Sequence, residues 1–317
     1  TRAGVGHDAG RGRGIRGQPR RGGQRRRLRR ALLHRGRDRA FLGPGPAGRS
    51  GPVSGRKAVT GFARRWGEGD PALLLHCALA HSGAWDGVAR RLSDRVSMVA
   101  PDLIGHGRAG DGTPGADYHD QLTAQAEAVL NEAGRPAHVI GHSYGATVAL
   151  RLAIEQPDRV RSLTLIEPVL FAAAEGRESH AAQKRDFEPF GEAWAAGDRV
   201  RATQIFIGMW GDTTPLADLP AKQRDYLVKT IWVIPAGRRA LWDDSAGLLP
   251  RLGQVGCPVL LMQGGASPEV IGDILSALAR GLPQARRVRI PGAQHMGPIT
   301  HADAFAAAIG DFLNTVP

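Results

Sequence analysis

The chain has 317 residues, 42% of them hydrophobic, which suits one large α/β domain with an insertion or two small domains and excludes a wholly disordered chain. The formal net charge of +12 suggests a nucleic-acid or membrane partner, but its distribution removes that reading from most of the chain. Residues 1–57 hold sixteen Arg and one Lys against Asp8 and Asp38, and the remaining residues carry a small net negative charge.

Cys77 and Cys257 are the only cysteines, too few for a disulfide scaffold or a cysteine-built zinc site. No apolar run reaches the length of a membrane span, and arginines and glycines interrupt any leader-like stretch near the N-terminus. The expectation is a soluble cytoplasmic protein.

Residues 1–57 are Arg/Gly/Pro-rich and almost free of β-branched and aromatic side chains, so they cannot bury enough surface to offset chain entropy. They read as a disordered extension, non-native or non-catalytic. An RGG-like arm that binds RNA through charge is the alternative, weakened by the lack of interleaved aromatics. No nucleic-acid partner is expected for the folded domain.

From residue 58 onward, apolar runs alternate with amphipathic stretches, the rhythm of a mostly parallel sheet wrapped by helices. Strands are expected over 59–66, 73–76, 96–100, 137–140 and 162–166. Helices are expected over 84–92, 120–132 and 146–155. The rhythm then breaks: residues 169–245 have helical spacing throughout and hold four of the six tryptophans. Alternation resumes with a strand at 258–263, a helix at 269–282, a strand at 287–290 and a last helix at 302–313. An all-helical insertion between two sheet strands reads as a cap over a core formed by 58–168 and 246–317.

The strongest motif is Gly141-His142-Ser143-Tyr144-Gly145. G-x-S-x-G alone is weak, but here it joins an apolar strand to a helix, as a nucleophile elbow requires. A serine hydroxyl needs a base within hydrogen-bond reach. Among eleven histidines, His295 follows the last expected strand, as chain order in such an elbow demands. His142 adjoins the serine but points elsewhere in an elbow, His106 lies in an earlier loop, and His301 begins a helix. An oxyanion hole needs two backbone N–H groups. Tyr144, directly after the serine, supplies one; the loop His76-Cys77-Ala78-Leu79 supplies the other, most simply through Ala78.

Taken together, Leu73-Leu74-Leu75-His76, the Pro101-to-Gly107 loop, the Gly141–Gly145 elbow and Gly292-Ala293-Gln294-His295 resemble the α/β-hydrolase superfamily over about residues 70–317. The resemblance is greatest to its cap-bearing esterase, lipase and C–C-bond hydrolase branch. It implies an acyl-enzyme on Ser143 and no metal or other cofactor. Two departures stand out. Cys77 occupies the place of the family's usual oxyanion-loop glycine and reads as packing. Ser267 stands where the family commonly has its catalytic Asp.

Some members instead take the acid from the end of the strand after the nucleophile helix, which here is Glu167. Glu269 and Asp273 stay as alternatives. Asp102 precedes the serine, against the required order, and reads as structural; Ser143 itself disfavours epoxide-hydrolase and dehalogenase chemistry, which need an Asp there.

In the cap, Phe187, Phe190, Trp194, Phe206, Met209, Trp210 and Trp232 form an aromatic and Met stripe. Part of it packs the cap and part should face the serine; Trp194, Phe206, Met209, Trp210 and Trp232 are the expected substrate wall. The sequence therefore points to a serine carboxylesterase for small to medium hydrophobic esters. Lactonase, C–C hydrolase or acyltransferase chemistry on the same residues, or a non-catalytic binding relative, are the alternatives.

Overall fold

The computed structural model describes residues 61–211 and 214–317. The Arg/Gly-rich segment 1–57 and the start of the first expected strand lie outside the described residues. The first strand, β1, runs Ala63–Trp66. It is followed by β2 (Asp70–Leu75), α1 (Asp86–Leu92), β3 (Val96–Pro101), α2 (Tyr118–Glu132), β4 (Ala137–His142), α3 (Tyr144–Glu155) and β5 (Val160–Ile166). Five α-helices of very unequal length separate β5 from β6, and no strand occurs between the two among the described residues. Before β6 come α4 (Glu178–Ala195), α5 (Arg199–Trp210), α6 (Ala221–Thr230), α7 (Val233–Ala236) and α8 (Arg238–Trp242). Alternation then resumes with β6 (Val259–Gly264), α9 (Glu269–Gly281), β7 (Ala285–Ile290), α10 (Gly297–Thr300) and α11 (Ala302–Leu313).

The seven strands form one sheet in the order β1-β3-β2-β4-β5-β6-β7, parallel except for β1, which runs antiparallel to β3. The alternation of side chains along each strand sorts the core into two layers. Leu73, Leu75, Val139, Leu163 and Leu165 pack with α2, α3 and α9 on one face. Ala72, Leu74, Ile140, Ile166 and Met262 pack with α1 and α11 on the other, against Val88, Phe305 and Ile309. Both faces are covered, so β4 and β5 are buried nearly end to end. A fully buried leucine such as Leu74 contributes about 2 kcal/mol by leaving water. The edge strand β7 instead turns Arg286, Arg287 and Arg289 outward, a charge pattern that blocks edge-to-edge pairing.

The strand order places a switch point between β2 and β4, whose partners include Leu75 and Gly141. From there the chain builds the sheet in opposite directions, and loops leaving the carboxyl ends of these two strands diverge around a crevice. The loop after β2 and the turn after β4 are the two segments in which the sequence locates its oxyanion donors and its serine. Among the described residues no helix is long and apolar enough to cross a membrane.

Candidate active site

Ser143 sits in the turn between β4 and α3 with φ 55 and ψ −118. A side-chain-bearing residue in this left-handed region carries strain of about 1–3 kcal/mol, held by the surrounding structure. The flanking glycines are required by close approach. A Cβ on Gly141 would collide with the Gly145 carbonyl, and one on Gly145 would collide with the carbonyls of Leu75 and His76. The Ser143 N–H donates to Ile166 O at 2.8 Å, tying the turn to the end of β5.

His295 arrives on the loop after β7. Its Nε2 lies 3.0 Å from Ser143 Oγ, and its Nδ1 lies 3.1 Å from Glu167 Oε2. All three side chains are buried, Glu167 completely. Glu167 leaves β5 with φ 51, a second strained residue at the site. Its other oxygen, Oε1, accepts the Gly264 N–H at 2.5 Å and the Ser267 hydroxyl at 2.7 Å. Ser267, in the place of the family's usual acid, is thus a donor to the carboxylate on the neighbouring strand. Of the alternative acids, Glu269 is exposed, and Asp273 accepts from Ser179 Oγ at 2.6 Å. The carboxylate that reaches His295 is Glu167.

His142 holds His295 from behind. Its Nε2–H donates to the His295 carbonyl at 2.9 Å, and burial, followed by the nearby His295, pushes its pKa down to about 3. The ring is therefore neutral in the folded protein near neutral pH. Trp210 covers the other side of His295, with ring centroids 4.6 Å apart.

Two further histidines brace the loop after β2. His106 Nε2 accepts the Leu79 N–H at 3.0 Å while its Nδ1–H donates to Ile104 O at 3.1 Å. His76 Nε2 accepts the Leu103 N–H at 2.9 Å, and its Nδ1–H donates to Cys77 O at 2.8 Å. Each ring donates at one nitrogen and accepts at the other, the pattern of a neutral imidazole. Burial favours that form, holding His106 down to about 4 and His76 well below its ordinary value. Asp102 is buried and accepts the Ser82 and Arg108 N–H groups, both at 2.8 Å, so it knits the same two loops together.

From α6, the Tyr226 hydroxyl donates to Ala80 O at 2.6 Å and accepts the Gly107 N–H at 3.1 Å. One phenol thus joins the helical segment to both loops. Nothing local in the sequence marks Tyr226 for this task. Tyr226→Phe is expected to lower kcat about tenfold with little change in KM, because the loop carrying Ala78 loses its tether while the substrate walls stay in place; a lost hydrogen bond of about 1–2 kcal/mol sets that scale. Steady-state kinetics on one ester checks it, and a rise in KM at constant kcat would assign Tyr226 to substrate binding instead.

Ala78 and Tyr144 both border the cavity at Ser143, and neither backbone N–H donates to a carbonyl or side chain among the described residues. The cavity measures about 350 Å³ and is lined in part by residues of α4, α5 and α8. Trp194, Phe206 and Trp210 line it, together with Phe171 and Trp242, which stack at 4.3 Å and which sequence reasoning left out of the wall.

Met209 and Trp232 do not line it, which corrects the expected wall. Phe206 and Trp210, four residues apart on α5, both border the cavity, whereas Met209 turns toward α4, its Sδ 4.0 Å from Gln183 Nε2. Trp232 packs on Tyr118 and over Gly105, on the far side of Tyr144. Cys77 is buried at the foot of the loop, its thiol pushed up to about 12 by burial, which disfavours the nucleophilic thiolate. Among the described residues no group of three or more His, Cys, Asp or Glu side chains is arranged to hold a metal ion.

A serine on a strained turn after a central parallel strand, at the sheet's switch point, defines an α/β-hydrolase architecture. The chain belongs to the Alpha/beta hydrolase family, whose model matches residues 72–308. It is similar to the lipase LipV of Mycobacterium tuberculosis, 29% identical over 262 residues that cover 78% of this chain and 95% of that protein. It is also similar to a pimeloyl-acyl-carrier-protein methyl ester esterase of Neisseria meningitidis, 33% identical over 257 residues, or 77% of this chain and 93% of the relative. Among solved structures, an alpha/beta hydrolase from Sphaerobacter thermophilus superposes with a TM-score of 0.63 at 25% identity, covering 80% of this chain and 96% of that one.

Proposed function

We propose that the protein is a serine carboxylesterase acting on apolar esters through an acyl-enzyme on Ser143. The observation that carries this reading is the continuous chain Ser143 Oγ, His295 Nε2, His295 Nδ1, Glu167 Oε2, with links of 3.0 and 3.1 Å, beneath an apolar cavity. Among the described residues, 169–211 and 214–245 act as the cap that roofs this cavity, on a core of 61–168 and 246–317. Named esterases and a lipase among the relatives support the same chemistry.

In the acylation step, the Ser143 hydroxyl oxygen attacks the ester carbonyl carbon and its proton passes to His295 Nε2. Glu167 holds the ring with Nε2 toward the serine and stabilises the imidazolium. The carbonyl oxygen becomes an oxyanion, met by the N–H groups of Ala78 and Tyr144. Collapse breaks the bond to the alkoxy oxygen, which leaves with the proton from His295. Water then repeats the sequence on the acyl-enzyme: His295 takes one water proton, the hydroxide oxygen bonds to the carbonyl carbon, and Ser143 leaves with that proton. An acid and an alcohol are released.

Lactone opening would run on the same groups. C–C cleavage and acyl transfer ask more of the cavity, namely polar groups to hold a second function or a second substrate. Its inner walls are aromatic and aliphatic, and the charged residues that border it, Lys184, Glu188 and Arg238, are exposed at its rim. The ester reading is favoured on that ground.

The test is a series of p-nitrophenyl esters of rising chain length, with intact-mass detection of the acyl-enzyme after rapid mixing. The expected result is turnover and an acyl mass increment on the wild type that Ser143→Ala does not acquire. Turnover that survives Ser143→Ala would sink the proposal.

A further inference from the structure

Ser143 stands where two apolar compartments of very unequal size meet. The larger, about 350 Å³, is walled by rings that include Phe171, Phe187, Trp194 and Trp242. The smaller, about 90 Å³, is bordered by Cys77, Leu219, Leu227 and Met296 among the described residues. Ala78, Ser143 and His295 border both. So do Phe206 and Trp210, which lie one above the other on α5 and form the ridge between the two spaces.

An ester carbonyl carbon bonded to Ser143 Oγ has three further substituents: the oxygen, the acyl chain and the alkoxy group. With the oxygen turned to the Ala78 and Tyr144 N–H groups, the other two diverge, and the ridge sends one into each compartment. We infer that the substrate is an unsymmetrical ester with one bulky apolar group and one compact group, the compact side limited by Cys77 and Leu227. This inference rests on the esterase reading and deepens it.

Cys77 acquires a role through this partition. Where the family has glycine, this chain has a side chain, only 2% exposed, on the wall of the small compartment. The thiol is held protonated by burial and acts as volume. Leu227 borders the same space from α6. Excess length on the compact side must displace one of these walls, and in an apolar pocket each misfitting methylene changes kcat/KM by roughly tenfold or more.

The experiment uses three esters of one molecular formula, methyl heptanoate, hexyl acetate and butyl butanoate, followed by acid release in a pH-stat. Composition and bulk hydrophobicity are matched, so only the position of the carbonyl differs. One of the two unsymmetrical isomers is expected to exceed butyl butanoate in kcat/KM by about tenfold or more. If methyl heptanoate leads, the compact compartment receives the leaving alcohol; if hexyl acetate leads, it receives the acyl group.

Cys77→Gly and Leu227→Ala, which enlarge the small compartment, should each raise butyl butanoate relative to the leading isomer by about tenfold. That ratio, taken within one preparation, does not depend on how much of a variant folds. Butyl butanoate matching or exceeding both isomers on the wild type, with turnover of all three, would overturn the partition and leave the esterase reading standing. No turnover on any of them, with p-nitrophenyl esters also inert, would overturn the esterase reading and this inference with it.

Discussion

Glu167→Gln is expected to lower kcat by about four orders of magnitude, the scale found when a catalytic histidine loses the carboxylate that sets its tautomer. The amide is nearly isosteric, so packing is preserved, but its NH2 can meet His295 Nδ1 and favour the wrong tautomer. Ser143→Ala should be more severe still, about six orders of magnitude, because no acyl-enzyme forms.

The surroundings of Glu167 supply a sharper test than the loss alone. Ser267 Oγ lies 2.7 Å from Glu167 Oε1, at the position where the family commonly has its acid. Ser267→Asp in the Glu167→Gln background is therefore expected to restore part of the activity by returning a carboxylate to the histidine from the next strand. In the wild-type background the same change sets two carboxylates side by side in a buried site, and should destabilise the protein by like-charge repulsion. The kinetics of the single and double variants decide this. Near-full activity in Glu167→Gln, or a large loss in Glu269→Gln or Asp273→Asn, would remove Glu167 from the role assigned to it.

The second large effect is on stability in mild acid. Burial is the leading cause that holds His106 and His119 down to about 4, His142 down to about 3, and His76 well below the ordinary 6.5. Neighbouring charges add to the effect: His106 beside His76, Arg151 beside His119, and His295 beside His142.

In the unfolded chain these rings titrate near 6.5. Above that pH both states hold them neutral, and no proton is exchanged on unfolding. Between 6.5 and about 4 the unfolded chain binds protons that the folded protein refuses, so stability falls as the pH falls. His106, His119 and His142 each then withdraw about 1.4 kcal/mol at pH 5.5, or about 4 kcal/mol for the three, and His76 acts in the same direction. That is a large part of the 5–15 kcal/mol or so by which folded proteins are usually stable. Urea unfolding at pH 7 and pH 5.5 should show the midpoint dropping steeply. A midpoint that does not move would mean these rings are solvated or charged in the native state.

The mapping from sequence to structure was direct wherever local rules act. Alternating apolar runs mark β2 to β7 to within a few residues, and α11 occupies the same residues the sequence expects. The elbow was legible for a simple reason. Gly141 and Gly145 are demanded by backbone contacts that any side chain would violate, so the turn leaves its mark in the residues themselves. His295 was legible through chain order, since only it follows the last strand within the loop.

Other features became visible only in three dimensions. Whether Glu167, Glu269 or Asp273 reaches His295 depends on β5 lying between β4 and β6, a pairing among residues far apart in the chain. The tether from Tyr226 to Ala80 and Gly107 joins residues more than a hundred positions apart, and no local pattern announces it. Met209 and Trp232 belong to the same aromatic and Met stripe as Trp210, yet rotation about α5 and packing on Tyr118 carry them away from the serine.

By itself, then, the sequence determined the doubly wound sheet, the strained serine turn and the histidine that follows the last strand, because steric and periodic constraints act between near neighbours. The tertiary structure alone decided which carboxylate meets that histidine, which rings face the serine, and how α5 splits the space above it. Those depend on strand order and helix rotation, and neither is written in any short stretch of the chain.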